Sequence, residues 1–392
     1  MAELDADAKI EFLLDPDIRG LLGRLCRDPR DDLALSQSPE LRGIPAPRRI
    51  ALLEQRKLRL KALRKSPEAP EMIFTALGLE QFTQAELARY KAGRLPIGLD
   101  SLADLCCGLG GDSLYVPSNI RLCGLDSSRA TLKAYRHNVS RMRPVGVVQG
   151  DAASGAVRAE AALLDPSRRQ AGRVERWQEA GLSPGWEAME ALIARYGSMS
   201  IKLGPGMPLP EFLEAYEWEY LGLRDECLEV TIWTGQLGRP GLVKATELPS
   251  GFSIEALRAD IPDSFSESSS PGAYLFEPVK AVVRAHLFGV LASGQGLWQI
   301  DPRIAYLSGN DSIRHPLLKT YRILRQLPYD MKAIKEFLRK EEVGRLEVKK
   351  RGVNLIPEDF RAGLKLAGGN EGTLIFTKEM DRKTAFWTRA EA

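Results

Sequence analysis

Four aspartates follow or end short apolar runs in the central part of the chain, and a glycine-rich loop accompanies the first of them. Asp104 opens the stretch DLCCGLGGD, Asp126 ends RLCGLD, Asp151 follows VGVVQG, and Asp165 ends AALLD. If each apolar run is a strand of one parallel sheet, the four carboxylates lie along the edge where such sheets bind ligands. Carboxylates accept hydrogen bonds from hydroxyl and amine groups, so the pattern predicts a site for an adenosine beside a reaction centre.

The glycines of the loop allow a sharp turn and a close approach of the backbone to a ligand. They are Gly108, Gly110 and Gly111. We expect a helix to begin after the loop and to offer its free N–H groups to the ligand. A phosphate-binding loop is excluded because no Gly-Lys-Ser/Thr sequence follows, and the GLGG spacing argues against a dinucleotide. The acid Asp104 favours a ligand with an amine and no phosphate, such as S-adenosylmethionine.

Each later acid has a position suited to one part of such a ligand. Asp126, at the end of the second predicted strand, is placed to accept from both hydroxyls of a ribose. Asp151, after the third strand, can accept from the exocyclic amine of adenine. Asp165 opens the motif DPSRR at the end of the fourth strand, where we expect the reaction centre.

The cysteines and histidines do not indicate a metal or redox centre. Cys106 and Cys107 are adjacent, which suits neither a CxxC metal pair nor a redox pair, and we interpret them as small packing residues. The chain has five cysteines without a framework spacing and three scattered histidines. This usage predicts no bound metal and a reduced, cytoplasmic protein.

The composition is that of a globular protein with more than one domain. The chain has 392 residues, 44% hydrophobic and 27% charged, a formal net charge of +3 and no apolar run long enough to span a membrane. Helical periodicity fills residues 1–93, and strands alternate with helices over 94–255. Residues 256–300 give a linker and connecting helix, and 301–392 a small α/β module. The predicted fold class is α/β, with a Rossmann-like core, a helical N-terminal region and an α/β C-terminal domain.

The region between the two α/β parts is predicted in more detail from its composition. Residues 251–272 are rich in Ser, Asp and Pro, which is typical of a linker or mobile loop. FEPVKAVVRAHLFGVLA has a helical pattern. In the last sixty residues the expected order is helix, strand, helix, strand, strand.

The motifs DLCCGLGG, GLDSS, GDA and DPSRR together resemble those of class I S-adenosylmethionine-dependent methyltransferases. The likeness is greatest to bacterial members with a THUMP-like C-terminal domain, and it covers roughly residues 75–392. KLGPG (202–206) and GRLEVKKRGV belong to the same pattern, although we interpret Lys202 itself as a solvated lysine at a strand end. The resemblance implies S-adenosylmethionine as cofactor and an RNA partner.

The resemblance also implies two sets of site residues. The set for the cofactor is Asp104, Cys106, Gly108, Gly110, Gly111, Asp126, Ser127, Asp151 and Ala152. The resemblance places Asp165 and Pro166 at the methyl-transfer site, and we add Ser167 and Arg168 of the same motif to this set.

The chain departs from the family pattern at the last motif. Methyltransferases acting on exocyclic amines usually carry [DNS]-P-P-[YFW], in which the aromatic ring stacks on the target base. Here Ser167 and Arg168 replace the second proline and the aromatic residue, and no SCNP-like segment supplies the cysteine that 5-methyluridine enzymes use. The base and the atom methylated therefore stay open. Arg168 and Arg169 have guanidinium groups suited to a phosphate.

Two basic segments suggest a nucleic acid partner. The first contains Arg48, Arg49, Arg56, Lys57, Arg59, Lys61, Arg64 and Lys65. The second contains Lys332, Lys335, Arg339, Lys340, Arg345, Lys349, Lys350 and Arg351. Our leading hypothesis is a cytoplasmic, monomeric RNA methyltransferase. The rivals are a small-molecule or protein methyltransferase, an RNA-binding protein with a vestigial cofactor site, and an adaptor that uses the sheet for partner binding.

Overall fold

The computed structural model describes residues 4–168, 181–262, 268, 270–364, 366–380 and 382–391. The chain divides into two compact units, residues 1–218 with 229–240 and residues 219–228 with 241–392. These units are coarser than the four segments expected from the sequence, whose boundaries stay a prediction. Within the described ranges, no helix combines the length and the apolar character needed to cross a membrane.

The first unit begins with six helices, as the periodicity of residues 1–93 predicts. They are α1 (Ala6–Leu14), α2 (Pro16–Arg27), α3 (Asp32–Ser36), α4 (Ala46–Ala62), α5 (Ala76–Gln81) and α6 (Ala85–Gly93). Helix α2 shows how local sequence fixes a boundary. The side chain of Asp15 accepts from the amides of Asp17 and Ile18, and Pro16 occupies the first helical position, where its missing N–H is harmless.

The strands and helices that follow build a sheet whose order reverses near its centre. The strands are β1 (Ser101–Leu105), β2 (Arg121–Asp126), β3 (Gly146–Gln149), β4 (Ala161–Leu164), β5 (Ser167–Arg168), β6 (Leu182–Ser183), β7 (Met199–Leu203), β8 (Glu217–Leu223) and β9 (Glu226–Trp233). The helices are α7 (Arg129–Ser140) and α8 (Trp186–Tyr196). Within the first unit the order is β3-β2-β1-β4-β7-β9, parallel except for β9. The reversal between β1 and β4 is the switch point at which parallel α/β sheets bind ligands.

The N-terminal helices share one hydrophobic core with this sheet. Leu13, Leu22 and Phe74 from the helical region belong to the same buried cluster as Leu102 of β1 and Tyr135 of α7. Residues 1–93 therefore pack against the sheet as part of its unit.

The helix expected directly after the glycine loop was a wrong prediction. All residues from 106 to 120 are described, and they form turns without a helix. The amides of Ser113 and Leu114 both donate to the carbonyl of Gly110, which makes one turn. Pro117 then disfavours the helical conformation of its predecessor and ends the segment.

The second unit contains most of β8, the start of β9 and the remaining elements. The strands are β10 (Leu242–Leu248), β11 (Phe252–Leu257), β12 (Tyr274–Pro278), β13 (Trp298–Gln299), β14 (Leu307–Gly309), β15 (Leu318–Pro328), β16 (Val343–Lys350), β17 (Asn370–Glu379) and β18 (Arg382–Glu391). The helices are α9 (Lys280–Arg284), α10 (Phe288–Gln295), α11 (Met331–Lys340) and α12 (Pro357–Ala362). A seven-stranded sheet has the order β13-β14-β12-β15-β18-β17-β16. The helix, strand, helix, strand, strand order expected for the last sixty residues is confirmed.

Two local predictions between the α/β parts were wrong. Part of the expected linker is strand β11, which pairs antiparallel with β10. Its sequence FSIEAL alternates in polarity with period two, a signal that the Ser- and Pro-rich composition of residues 251–272 obscured. The expected single helix over 276–292 begins instead as strand β12, and two short helices follow. Residues 263–267 and 269 lie outside the described part of the chain.

Candidate functional site

Three of the predicted acids lie at the carboxyl ends of neighbouring strands. Asp104 is the second-last residue of β1, Asp126 is the last residue of β2, and Asp165 directly follows β4. Backbone hydrogen bonds hold these ends together. The amide of Asp165 donates to the carbonyl of Leu105 at 3.4 Å, and the amide of Cys107 donates to that of Leu125 at 3.0 Å.

The loop after β1 has the left-handed backbone that glycine favours. Gly108 has φ 51° and Gly110 φ 88°. A side chain at Gly110 would place its Cβ 2.6 Å from a methyl group of Val139, so close packing on α7 also demands glycine there. Cys106 adopts φ 61° although it has a side chain. Such a conformation costs of order 1–3 kcal/mol and is typical of functional sites.

Asp104 is buried and hydrogen-bonded. Its side chain is 3% exposed, and Oδ2 accepts from the hydroxyl of Ser113 at 2.5 Å. That hydroxyl also lies 2.8 Å from the hydroxyl of Tyr135. Burial raises the pKa of Asp104 to about 8, although the bond from Ser113 opposes the rise. A buried carboxyl with a raised pKa gains most from a cationic ligand.

Asp126 joins the strand end to the glycine loop. Its Oδ1 accepts from the amide of Ser128 at 2.9 Å, and its Oδ2 accepts from the amide of Gly108 at 3.3 Å. Burial raises the pKa of Asp126, and the two amide bonds oppose that rise. Ser127 is exposed beside it. A carboxylate has about four lone-pair sites, so Asp126 can still accept from a ribose diol.

Asp151 lies two residues after β3 and is exposed. Its Oδ1 accepts from the amide of Ala153 at 2.9 Å and caps a short 3₁₀ turn, in which Ala152 is 5% exposed. Asp151 therefore acts as a cap of this turn through Oδ1. Its second carboxylate oxygen, Oδ2, takes no part in that hydrogen bond.

The negative charges of the four predicted acids all disfavour ionisation of the Cys106 thiol. Burial, and to a lesser degree the charges of the four aspartates, raise the pKa of Cys106 to about 12. The thiol is neutral at physiological pH, so Cys106 is no thiolate nucleophile. The acids that are ionised around this half-buried position attract a cation.

The motif DPSRR continues from the strand end into a two-stranded ribbon. Pro166 is buried and Ser167 exposed. Ser167 pairs with Ser183 in the ladder of β5 and β6, and its hydroxyl donates to the carbonyl of Ser183 at 3.3 Å. The side chain of Arg168 and all of Arg169 lie outside the described residues, so the phosphate role expected for them stays a prediction.

The interpretation of Lys202 as a solvated lysine was wrong. Its side chain is 19% exposed, and its ammonium Nζ lies 2.8 Å from Oδ2 of Asp165. Burial lowers the pKa of Lys202, but the charges of Asp165 and Asp112 outweigh that effect and hold it above its ordinary value. The KLGPG motif was the signal in the sequence, because it places a lysine at the end of a strand beside β4.

A charged network extends behind this pair. Thr83 donates to Asp112 at 2.9 Å, and Lys91, which is 6% exposed, lies 2.6 Å from Asp112 and 2.8 Å from Glu229. No motif in the sequence predicts a role for these residues. A cavity of about 20 Å³, enough for one water, adjoins the network. Its lining includes Lys91, Asp104, Asp112, Asp165, Ser200 and Lys202. Within the described ranges, no group of His, Cys, Asp or Glu side chains is arranged to hold a metal ion.

Comparison with known proteins assigns the family. Two uncharacterized S-adenosylmethionine-dependent methyltransferases, from Mycobacterium tuberculosis strains CDC 1551 and H37Rv, are each 30% identical over 317 residues. The alignments cover 79% of this chain and 85% of each relative. This chain belongs to the S-adenosylmethionine-dependent methyltransferases. The resemblance seen in the motifs is thus confirmed, and so is the cofactor.

Two further comparisons concern the fold of the methyltransferase. Residues 318–390 match the family model described as THUMP domain-like, which confirms the expected C-terminal domain. A crystal structure of a proposed methyltransferase from Porphyromonas gingivalis W83 superposes with a TM-score of 0.80 at 20% identity. It covers 97% of this chain and 99% of that one. At that identity the likeness concerns the fold, and it confirms the expected α/β class.

The site of the methyltransferase fits its cofactor chemically. S-adenosylmethionine carries a sulfonium, an amine and a ribose diol, and supplies an activated methyl group when bound. The carboxylates around Cys106 suit the cationic groups, and the lone pairs of Asp126 suit the diol. A Cβ at Gly108 would meet only the carbonyl oxygen of Cys106, at 4.0 Å, so space is open beside this part of the loop.

The first basic segment is only partly a surface for nucleic acid. Arg56 donates to the carbonyls of Leu25, Asp28 and Arg30, and Arg59 donates to those of Pro70 and Met72. Both are buried. Lys65 is likewise occupied by three carbonyls at the end of α5. These cations hold the N-terminal helices together, so Arg56, Arg59 and Lys65 are already engaged within the protein; Lys61 and Arg64 are exposed.

The second basic segment is more open. Lys349 and Arg351 pair with Glu277 at 2.5 and 3.7 Å. The exposed members are Lys332, Lys335, Arg339, Lys340, Arg345 and Lys350. They lie on α11 and β16, within the THUMP-like domain.

Proposed function

We propose that this methyltransferase acts on RNA and transfers the methyl group of S-adenosylmethionine to a base held beside Asp165. The observation that supports the site best is that Asp104, Asp126 and Asp165 lie at the carboxyl ends of β1, β2 and β4, around the switch point of the sheet. The methyl group is already activated, so the protein has to align the target and exclude water. Such alignment is worth about 7–11 kcal/mol in favourable systems.

The residue roles follow from position. We assign the methionine part of the cofactor to Asp104, Cys106, Gly108, Gly110 and Gly111, which share one loop. We assign the ribose to Asp126 and Ser127, and the adenine to Asp151 and Ala152. The methyl-transfer site is assigned to the run from Asp165 to Arg168, where Asp165 accepts a hydrogen bond or a proton from the target.

The RNA partner is supported by the domain and its charges. THUMP domains bind structured RNA, and the THUMP-like domain here carries exposed cations on α11 and β16. A-form RNA is recognised mainly through its shape and phosphates, which suits lysine and arginine side chains. All five cysteines are free, in keeping with a reduced cytoplasmic location. We expect a monomer.

Transfer of a labelled methyl group tests the proposal. Total RNA, protein and metabolites from a strain that lacks this chain are incubated with labelled S-adenosylmethionine and the full-length protein. We expect label in RNA with the natural protein and none with Asp165→Ala. Label in protein or metabolites instead would establish the rival methyltransferases. RNA binding without label in any fraction would support a vestigial site.

A further inference from the structure

Lys202 connects the acceptor of the proposed site to the N-terminal helical region. Its Nζ lies 2.8 Å from Asp165 Oδ2, 2.9 Å from the hydroxyl of Thr83 and 3.3 Å from the carbonyl of Gln81. An ammonium has three donors, and these three acceptors match that number. Lys202 therefore has no donor left for a cofactor or target, so it acts through the residues that it holds.

Thr83, between α5 and α6, is held by a second contact besides the one with Lys202. The hydroxyl of Thr83 accepts from Lys202 and donates to Asp112 at 2.9 Å. Asp112 is anchored in turn by Lys91, which is buried in α6. The direction of each hydrogen bond is thus determined, and the ammonium cannot move away from Asp165 without breaking the chain of contacts.

The ion pair orients the Asp165 carboxylate. Oδ2 carries the pair with Lys202, and within the described part of the chain Oδ1 keeps its lone pairs. The side chain of Asp165 is 34% exposed, so this second oxygen has a route to a ligand. An immobilised carboxylate with one open oxygen is a pre-organised acceptor.

Lys202 also controls the charge of Asp165. Burial holds the pKa of Asp165 above its ordinary value, and the ammonium of Lys202 is the largest influence that opposes this rise. Among the described residues, the other charged or titratable groups that face Asp165 are Asp112 and Cys106 of the loop, Lys91 of α6 and Asp104 of β1. Asp112 and Asp104 are acids, and their charges disfavour ionisation of Asp165. Lys202, on the strand beside β4, favours the ionised form.

We propose that Lys202 is a positioning residue, which holds Asp165 ionised and turns its open oxygen toward the atom that receives the methyl group. This inference rests on the proposed function and deepens it, because an ionised acceptor selects a target that carries a hydrogen. The target class is a neutral nitrogen of a nucleobase with an N–H. The nitrogen forms a bond to the methyl carbon, the carbon–sulfur bond breaks with its electron pair on sulfur, and the nitrogen's proton passes to Asp165.

Variants of the full-length protein separate positioning from a structural role. Lys202→Met keeps the length of the side chain without its charge, and Lys202→Arg keeps the charge. Thr83→Val removes the hydroxyl's hydrogen bonds to Lys202 and Asp112 and leaves both charged groups in place. Lys280→Met serves as matched control, because Lys280 forms an exposed ion pair with Glu226 in the second unit.

The first readout needs no RNA. In protein with carbon-13-labelled aspartate carboxyls, the resonance that Asp165→Asn removes reports the titration of Asp165. We expect Lys202→Met to move that titration upward by about one pH unit or more and Lys280→Met to leave it unchanged. An Asp165 titration that is the same with and without Lys202 would overturn the inference, whatever the substrate.

The second readout is methyl transfer to RNA. We expect Lys202→Met to lower kcat by about 10²-fold or more with unchanged cofactor affinity, and to move the acid limb of the pH–rate profile upward. Lys202→Arg should recover part of kcat, and Thr83→Val should lower it without moving the limb. An unchanged kcat and profile in Lys202→Met would contradict the positioning role. A shifted titration in a protein inactive on RNA would reject the proposed function while upholding the pairing.

Discussion

Asn138 and Ile73 exchange two hydrogen bonds across 65 residues of sequence. The amide of Ile73 donates to the side-chain oxygen of Asn138 at 2.8 Å, and the side-chain nitrogen of Asn138 donates to the carbonyl of Ile73 at 3.0 Å. The same nitrogen donates to the carbonyl of Leu109 in the glycine loop at 3.1 Å. One buried amide on α7 thus ties the N-terminal segment to the cofactor loop.

The first prediction concerns this amide. Asn138→Ala leaves three buried backbone groups without their partner, so we expect the free energy of unfolding to fall by about 2–4 kcal/mol. The loop loses a support at Leu109, and cofactor affinity should fall as well. Urea unfolding and calorimetry measure the two effects. Asn354→Ala, at an exposed asparagine, is the control, and equal stability of the two variants would contradict the assigned role.

The second prediction follows from the pKa of Asp104, which is about 8 because the carboxyl is buried. Near neutral pH the group is mostly protonated, and a cationic ligand beside it lowers its pKa. S-adenosylmethionine should therefore release a proton on binding. Calorimetry in buffers of different ionisation enthalpy measures that release, and Asp104→Asn should reduce it. Binding without proton release in the natural protein would show that the cation lies elsewhere.

The same pKa has a consequence for stability. In the unfolded chain Asp104 loses its proton near the ordinary aspartate value of 3.8, whereas in the folded protein it keeps the proton up to about 8. Between these values the folded state binds more protons, so this group makes stability fall as pH rises. Asp104→Asn should flatten that fall in chemical denaturation across the same window. If the stability of the natural protein and of Asp104→Asn declined in parallel, the pH dependence would come from other groups.

The positions of the acids could be predicted from the sequence, but the network behind them could not. Asp126 and Asp165 end apolar runs, and a strand end is a local property. Lys202 looked solvated because its partner Thr83 is 119 residues away, and the burial of Arg56 depends on carbonyls more than 25 residues before it. Such contacts depend on tertiary packing, which neither the hydrophobic periodicity nor the composition of a segment reports.

The third prediction concerns Cys106, a non-glycine residue at φ 61° with a thiol pKa of about 12. Because a β-branched side chain is least tolerated there, Cys106→Val should lose about 1–3 kcal/mol of stability. Cys106→Ser should keep methyl transfer within about tenfold, since a neutral thiol is no nucleophile. Chemical denaturation and the methyl-transfer assay check these outcomes. Loss of all activity in Cys106→Ser would indicate covalent catalysis through this cysteine.

The fourth prediction uses two arginines that face each other in the sheet of the THUMP-like domain. Arg322 of β15 is the register partner of Arg389 of β18, and both are exposed. Like charges directly opposite each other are destabilising, so Arg322→Ala should raise the free energy of unfolding by roughly 0.2–1 kcal/mol.

If the pair contacts phosphates, the same change should weaken RNA binding and reduce the slope of log affinity against log salt by about 0.7–0.9 per lost contact. Urea unfolding and binding titrations at several salt concentrations measure both. Arg42→Ala, at an exposed arginine of the first unit, is the control, and a salt slope that Arg322→Ala leaves unchanged would exclude this face from the RNA interface.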